Sequence, residues 1–80
     1  MNPHLQTTIE ALKRGDLITA TVEVNRAIAA APDCAEAYIL RGQISNAVGD
    51  KKGAASDMAR ALELRPDLMG QLSGEFQTGK

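Results

Sequence analysis

The chain is poor in the residues that most often carry chemistry. Its single cysteine, Cys34, has no partner for an internal disulfide, and no Cys/His spacing fits a structural zinc site. Tryptophan is absent, and Tyr38 and Phe76 are the only aromatics, too few to form a platform for stacked bases. Neither sign of charge dominates: nine Lys and Arg stand against ten Asp and Glu, for a net charge of −1. The basic stripe that nucleic acid requires is missing. No apolar run approaches the roughly 20 residues of a membrane span. Met1-Asn2-Pro3-His4 has neither the basic nor the apolar segment of a secretory signal. Glycine-rich phosphate loops are absent as well. The expectation is a cytoplasmic protein without cofactor, nucleic-acid or membrane partners, its location open should the sequence be a domain of a longer chain.

What the chain does have is a period. Gly15-Asp16, Ala20, Arg26, Ala27 and Pro32-Asp33 return 34 residues later as Gly49-Asp50, Ala54, Arg60, Ala61 and Pro66-Asp67. Leu5/Ile39, Glu23/Asp57, Val24/Met58 and Ile28/Leu62 are conservative matches at the same offset. A fixed period of this length marks a stacked repeat protein. Thirteen alanines and few β-branched runs make the stacked unit helical.

Punctuation sets the helix limits. The first helix is expected from about Pro3 to Arg14, capped by Asn2, with Leu5, Ile9 and Leu12 along one face. Gly15 ends it. The second follows Asp16 and runs to about Ala30, with Ala20, Val24, Ala27 and Ile28 inward and Glu23, Asn25 and Arg26 toward water. Pro32 stops it. The third opens at Asp33-Cys34-Ala35-Glu36, where Asp33 caps and Glu36 bonds back to it as in a capping box. The third ends near Val48, and Gly49 repeats the stop. The fourth follows Asp50 and runs to about Leu64, with Ala54, Met58, Ala61 and Leu62 inward and Asp57, Arg60 and Glu63 outward. A short fifth helix is expected after Asp67 on the pattern Leu68, Leu72, Phe76, before a frayed tail at Gln77–Lys80.

These residues resemble the tetratricopeptide repeat family, whose unit is a 34-residue pair of antiparallel helices. Tyr38 stands where that family prefers Trp, Gly42 at its small residue, and Gly49-Asp50, Ala54, Met58, Ala61 and Pro66 follow in register. The first unit matches from Gly15 to Pro32 and departs before it: His4 replaces the Trp, and Thr7-Thr8 replace the usual Leu-Gly. The resemblance implies an all-α fold over residues 1–80, a right-handed α-α superhelix of two antiparallel helical hairpins with a short capping helix. Its parts would be a first repeat over about 2–34, a second over about 35–68 and a cap over about 68–76. Gly42, Ala20, Ala27, Ala54 and Ala61 supply the small contacts that such close helix packing needs.

The resemblance also implies a concave groove lined by the first helix of each hairpin. By register it presents Leu5, Ile9, Leu12 and Lys13 from one helix and Ile39, Gln43 and Asn46 from the next, with Ser73 at an edge. Leu5, Ile9 and Leu12 admit three readings: plain core packing of a rotated first helix, an apolar floor for an amphipathic peptide, or a face for self-association. The Lys, Asn and Arg set with which some family members hold a partner's terminal carboxylate is absent, since Leu5, Ile9 and Gln43 occupy those places.

Candidates for catalysis do not assemble. His4 is the only histidine, and the nearest carboxylate in sequence, Glu10, points elsewhere on its helix. Cys34 has acidic neighbours, Asp33 and Glu36, that oppose thiolate formation. Asp33, Asp50 and Asp67 follow Pro or Gly at helix boundaries, where capping accounts for them without a metal. The expected function is a non-enzymatic module that binds a peptide or helix of a partner protein in the groove, steered by Lys13 and Arg41. The alternative is a structural unit forming a homodimer through the apolar face of the first helix.

Overall fold

The computed structural model describes residues 2–68. Among them are four α-helices and no strand: α1 (Pro3–Lys13), α2 (Leu17–Ala30), α3 (Ala35–Ala47) and α4 (Lys51–Leu64). Helical backbone resumes at Asp67 and Leu68. The rest of the expected fifth helix, with Leu72, Ser73 and Phe76, and the tail after it lie outside the described residues.

Two of the three turns repeat atom for atom. Gly15 and Gly49 take φ of 75° and 87°, the left-handed region open to a residue without Cβ. At the first turn Gly15 N–H donates to Leu12 C=O and Asp16 N–H to Ala11 C=O; at the second, Gly49 donates to Asn46 and Asp50 to Ser45. Each set satisfies two orphan carbonyls of the ending helix. The aspartate then starts the next helix: the Asp16 carboxylate accepts from Thr19 N–H at 3.1 Å and Asp50 from Gly53 N–H at 3.0 Å. Asn2 caps α1 in the same way, accepting from His4 N–H.

The α2–α3 junction departs from expectation. Cys34, not Asp33, occupies the N-cap of α3, and no side chain bonds to the cap. Cys34 N–H closes a tight turn onto Ala31 C=O, which places Asp33 inside the turn and one residue too early to cap. Glu36 therefore has no aspartate cap to complete. The third boundary aspartate, Asp67, also has another task, because its carboxylate takes two hydrogen bonds from Arg65 at 2.7 and 2.9 Å.

Each hairpin is antiparallel. Asn2 Nδ2 donates to Ala27 C=O, so α1 begins where α2 ends. In the second hairpin Tyr38 meets Arg60, Arg41 meets Asp57 and Gly42 meets Ala54, partners retreating along α4 as α3 advances. The hairpins join mainly through α2 against α3, and α1 also touches α3, whereas α4 touches neither α1 nor α2. The stack is thus tighter on the α1/α3 side.

Small residues make that packing possible. Ala11, Ala20, Ala27, Ala37 and Ala61 are wholly buried, and Val24 and Thr8 are the largest side chains that are. Thr8 fills the place Gly42 takes in the second hairpin; its hydroxyl is satisfied by donating to His4 C=O at 2.7 Å. Met58, Leu62 and Ala54 are only partly buried. Tyr38 is buried with its hydroxyl donating to Pro32 C=O at 2.9 Å, which ties α3 to the turn before it.

Candidate functional site

The two repeat-equivalent acids face inward, against expectation. Asp57 is 7% exposed and takes two hydrogen bonds from Arg41, at 2.9 and 3.0 Å. This bidentate pair spans α3 and α4. The carboxylate raises the Arg41 pKa above its ordinary value, against the opposing effect of partial burial. Arg41 also reaches Asn25 Oδ1 on α2 at 3.2 Å and lies 5.6 Å from the Tyr38 ring centre. It is therefore a junction between helices.

Glu23 is the counterpart in the first hairpin. Its carboxylate meets His4 Nδ1 at 2.9 Å and Arg26 at 3.1 Å, with its side chain 15% exposed. The His4 hydrogen bond, with lesser help from Arg26, lowers the Glu23 pKa below its ordinary 4.5. The partner of His4 thus comes from the middle of α2, not from Glu10 on its own helix. A hollow of about 410 Å³ beside it, lined by Asn2, Pro3, His4, Ala30 and Ala31, has His4 as its one ionisable side chain. A histidine held by one carboxylate has no nucleophile or second ligand beside it. Among the described residues no cluster of His, Cys, Asp and Glu could hold a metal ion, and no buried polar side chain lacks a partner.

The candidate groove is a hollow of about 210 Å³ between α1 and α3, lined by Leu5, Ile9, Glu36, Ile39 and Leu40. Leu5, Ile9 and Ile39 are sequence candidates that the structure brings together. Leu12 packs against the buried cluster around Ala11 and Val24 and does not line the hollow. Leu5 also touches that cluster from its edge, and Ile39 touches the one around Tyr38 and Ala61. Lys13, Gln43 and Asn46 are exposed and stand outside the lining. Glu36 and Leu40 were not among the sequence candidates. Their spacing before Gln43 put them on the face of Ile39, but the capping pattern claimed Glu36.

A second apolar surface was not anticipated. Leu17, Ile18, Thr21, Val22 and Val48 line a depression of about 320 Å³ where the start of α2 meets the end of α3. Ile18 is 82% exposed and Val48 62%.

Two stacked α-hairpins with a hollow between their leading helices define a helical repeat protein. No family model matches the chain, and no solved structure does. Tetratricopeptide repeat protein 36 is similar to it: the Danio rerio protein is 38% identical over 56 residues, that of Xenopus tropicalis 39% and that of Homo sapiens 41%. The match covers 70% of this chain and 28–30% of each relative, so the chain spans less than a third of the length of the curated relatives it matches. This similarity supports the tetratricopeptide repeat family for the chain. Among the described residues no helix is long and apolar enough to cross a membrane.

Proposed function

We propose that the chain is a protein-interaction module that holds a peptide or helix of a partner protein over the α1/α3 hollow. The observation that carries this reading is the hollow itself: Leu5, Ile9, Ile39 and Leu40 meet at the surface with their side chains partly open. A floor of this kind takes the apolar anchors of an amphipathic segment. At about 210 Å³ it falls below the ~300–1,000 Å³ of small-molecule sites, which favours a side chain of a macromolecule over a cofactor. Lys13, Gln43 and Asn46, exposed on the same two helices, would bond to the polar side of such a segment. The module is proposed to act by binding alone, without chemistry of its own.

Self-association through the apolar face of α1 has less to draw on. Leu5 and Leu12 already pack against the core, and Ile18, the most exposed large aliphatic side chain among the described residues, belongs to α2. The test is affinity capture with wild-type and Ile9→Asp chains, followed by titration of the recovered segment as a synthetic peptide. The reading expects the wild type to bind the peptide and the variant to lose it while circular dichroism reports both as helical. A folded Ile9→Asp chain that binds the peptide as well as wild type contradicts it.

A further inference from the structure

We infer that the segment held in the α1/α3 hollow carries a Lys or Arg beside its aliphatic anchor, recognised by Glu36. This inference rests on the groove reading above and narrows the chemistry of the occupant. The hollow is lined by four aliphatic side chains and by Glu36, whose side chain is exposed. That carboxylate sits in the first turn of α3. The cap it was expected to complete does not form. Its one hydrogen bond among the described residues is a 3.9 Å contact from the Cys34 thiol. Arg65 is near enough to feel its charge, but its Nε and Nη2 are turned to Asp67 and it makes no ion pair with Glu36. Asp16, Glu23, Asp57, Glu63 and Asp67 each have a cation within ion-pair distance. Glu36 stands apart as a carboxylate at the lip of an apolar floor with no ion pair among the described residues.

An aliphatic anchor enters the hollow more readily when the groups flanking it complement the charge of the rim. A carboxylate brought beside Glu36 would be repelled and a neutral side chain would leave it unmatched, whereas an ammonium or guanidinium completes it. The preference is opposite in sign to the capture of a terminal carboxylate by cations, for which this groove lacks the residues.

The experiment is selection of a displayed random-peptide library on the full chain and on Glu36→Lys, a substitution at an exposed side chain. Peptides selected on the wild type should share an aliphatic residue with Lys or Arg within one helical turn of it. Those selected on Glu36→Lys should carry Asp or Glu there instead. A synthetic wild-type-selected peptide should bind Glu36→Gln about fivefold more weakly, the loss expected of one rim ion pair, and added salt should narrow the gap. Peptides that depend on Ile9 but show no basic preference, or the same preference on both baits, overturn the charge assignment and leave the groove standing. Peptides that bind Ile9→Asp and the milder Ile9→Ala as well as wild type, or no enrichment at all, overturn the groove reading and this inference with it.

Discussion

The two hairpins share their turns and differ in what they show to the outside. Both end their first helix on a glycine at positive φ and start their second on an aspartate cap. Yet the exposed start of α2 carries Leu17, Ile18 and Val22 where α4 carries Lys51, Lys52 and Ser56. In the leading helices, Ile9 and Leu12 of α1 correspond to Gln43 and Asn46 of α3. One hairpin thus demonstrates that the fold tolerates polar side chains at places where the other is apolar. Apolarity at the outward places, Ile9 at the hollow and Ile18 and Val22 on α2, is then not explained by folding. The acids compare in the same way: Glu23 and Asp57 hold one repeat position, but one reaches a histidine and the other an arginine one turn further along its neighbour.

The largest effect is expected where the comparison turns on packing. Ala20 and Thr8 are both wholly buried, while their repeat equivalents Ala54 and Gly42 lie against each other with no side chain on Gly42. Ala20→Leu should destabilise by about 3 kcal/mol and Ala54→Leu by about 1 kcal/mol, read as melting shifts of roughly 4–8 °C per kcal/mol. Equal losses would break the assignment of unequal space. Next come the acids. Asp57→Asn leaves Arg41 without its counter-charge and should cost about 2 kcal/mol, between the values for exposed and buried pairs.

Glu23→Gln should cost less than Asp57→Asn and change the pH profile. The folded pKa of Glu23 is depressed, so its contribution is present above the unfolded value and lost as pH falls through the folded one. Denaturation followed below about pH 5 should therefore show a shallower acid loss in Glu23→Gln than in the wild type; parallel curves would mean that the His4 contact carries no stability.

A smaller gain is expected at Gly53. A Cβ there would meet the Asp50 carboxylate, but Thr19 carries one at the matching place beside an intact Asp16 cap. Gly53→Ala should thus stabilise by up to about 1 kcal/mol; a loss would show that the second cap cannot move aside. Smallest of all, Ile18→Lys with Val22→Ser, which copies α4 onto α2, should change stability by less than about 0.5 kcal/mol. A larger loss would mean that the α2 surface belongs to the fold after all.

Backbone features were legible in the sequence because they are local. Gly15 and Gly49 are needed for positive φ, and Asp16 and Asp50 for the orphan N–H groups just after them, so the limits of α1, α2 and α4 followed within a residue. The inward turn of Glu23 and Asp57 was not legible, because their partners lie 19 and 16 residues away on another helix. Helical periodicity alone set both on the solvent side of the buried stripe. At Glu36 two signals coincided, a cap three residues on and a place on the groove face, and the tight turn at Ala31–Cys34 decided between them. Leu5, Ile9 and Ile39 could be grouped from register, whereas Leu12 could not be separated from them until its contact with the core was seen.

The most direct measurement is amide hydrogen exchange of the chain with and without a peptide selected on it. Binding over the hollow between the leading helices predicts added protection along Leu5–Lys13 and Glu36–Asn46, with Ile18–Val22 unchanged. Protection gained on the outer face of α2, with α1 and α3 exchanging as before, would contradict the account.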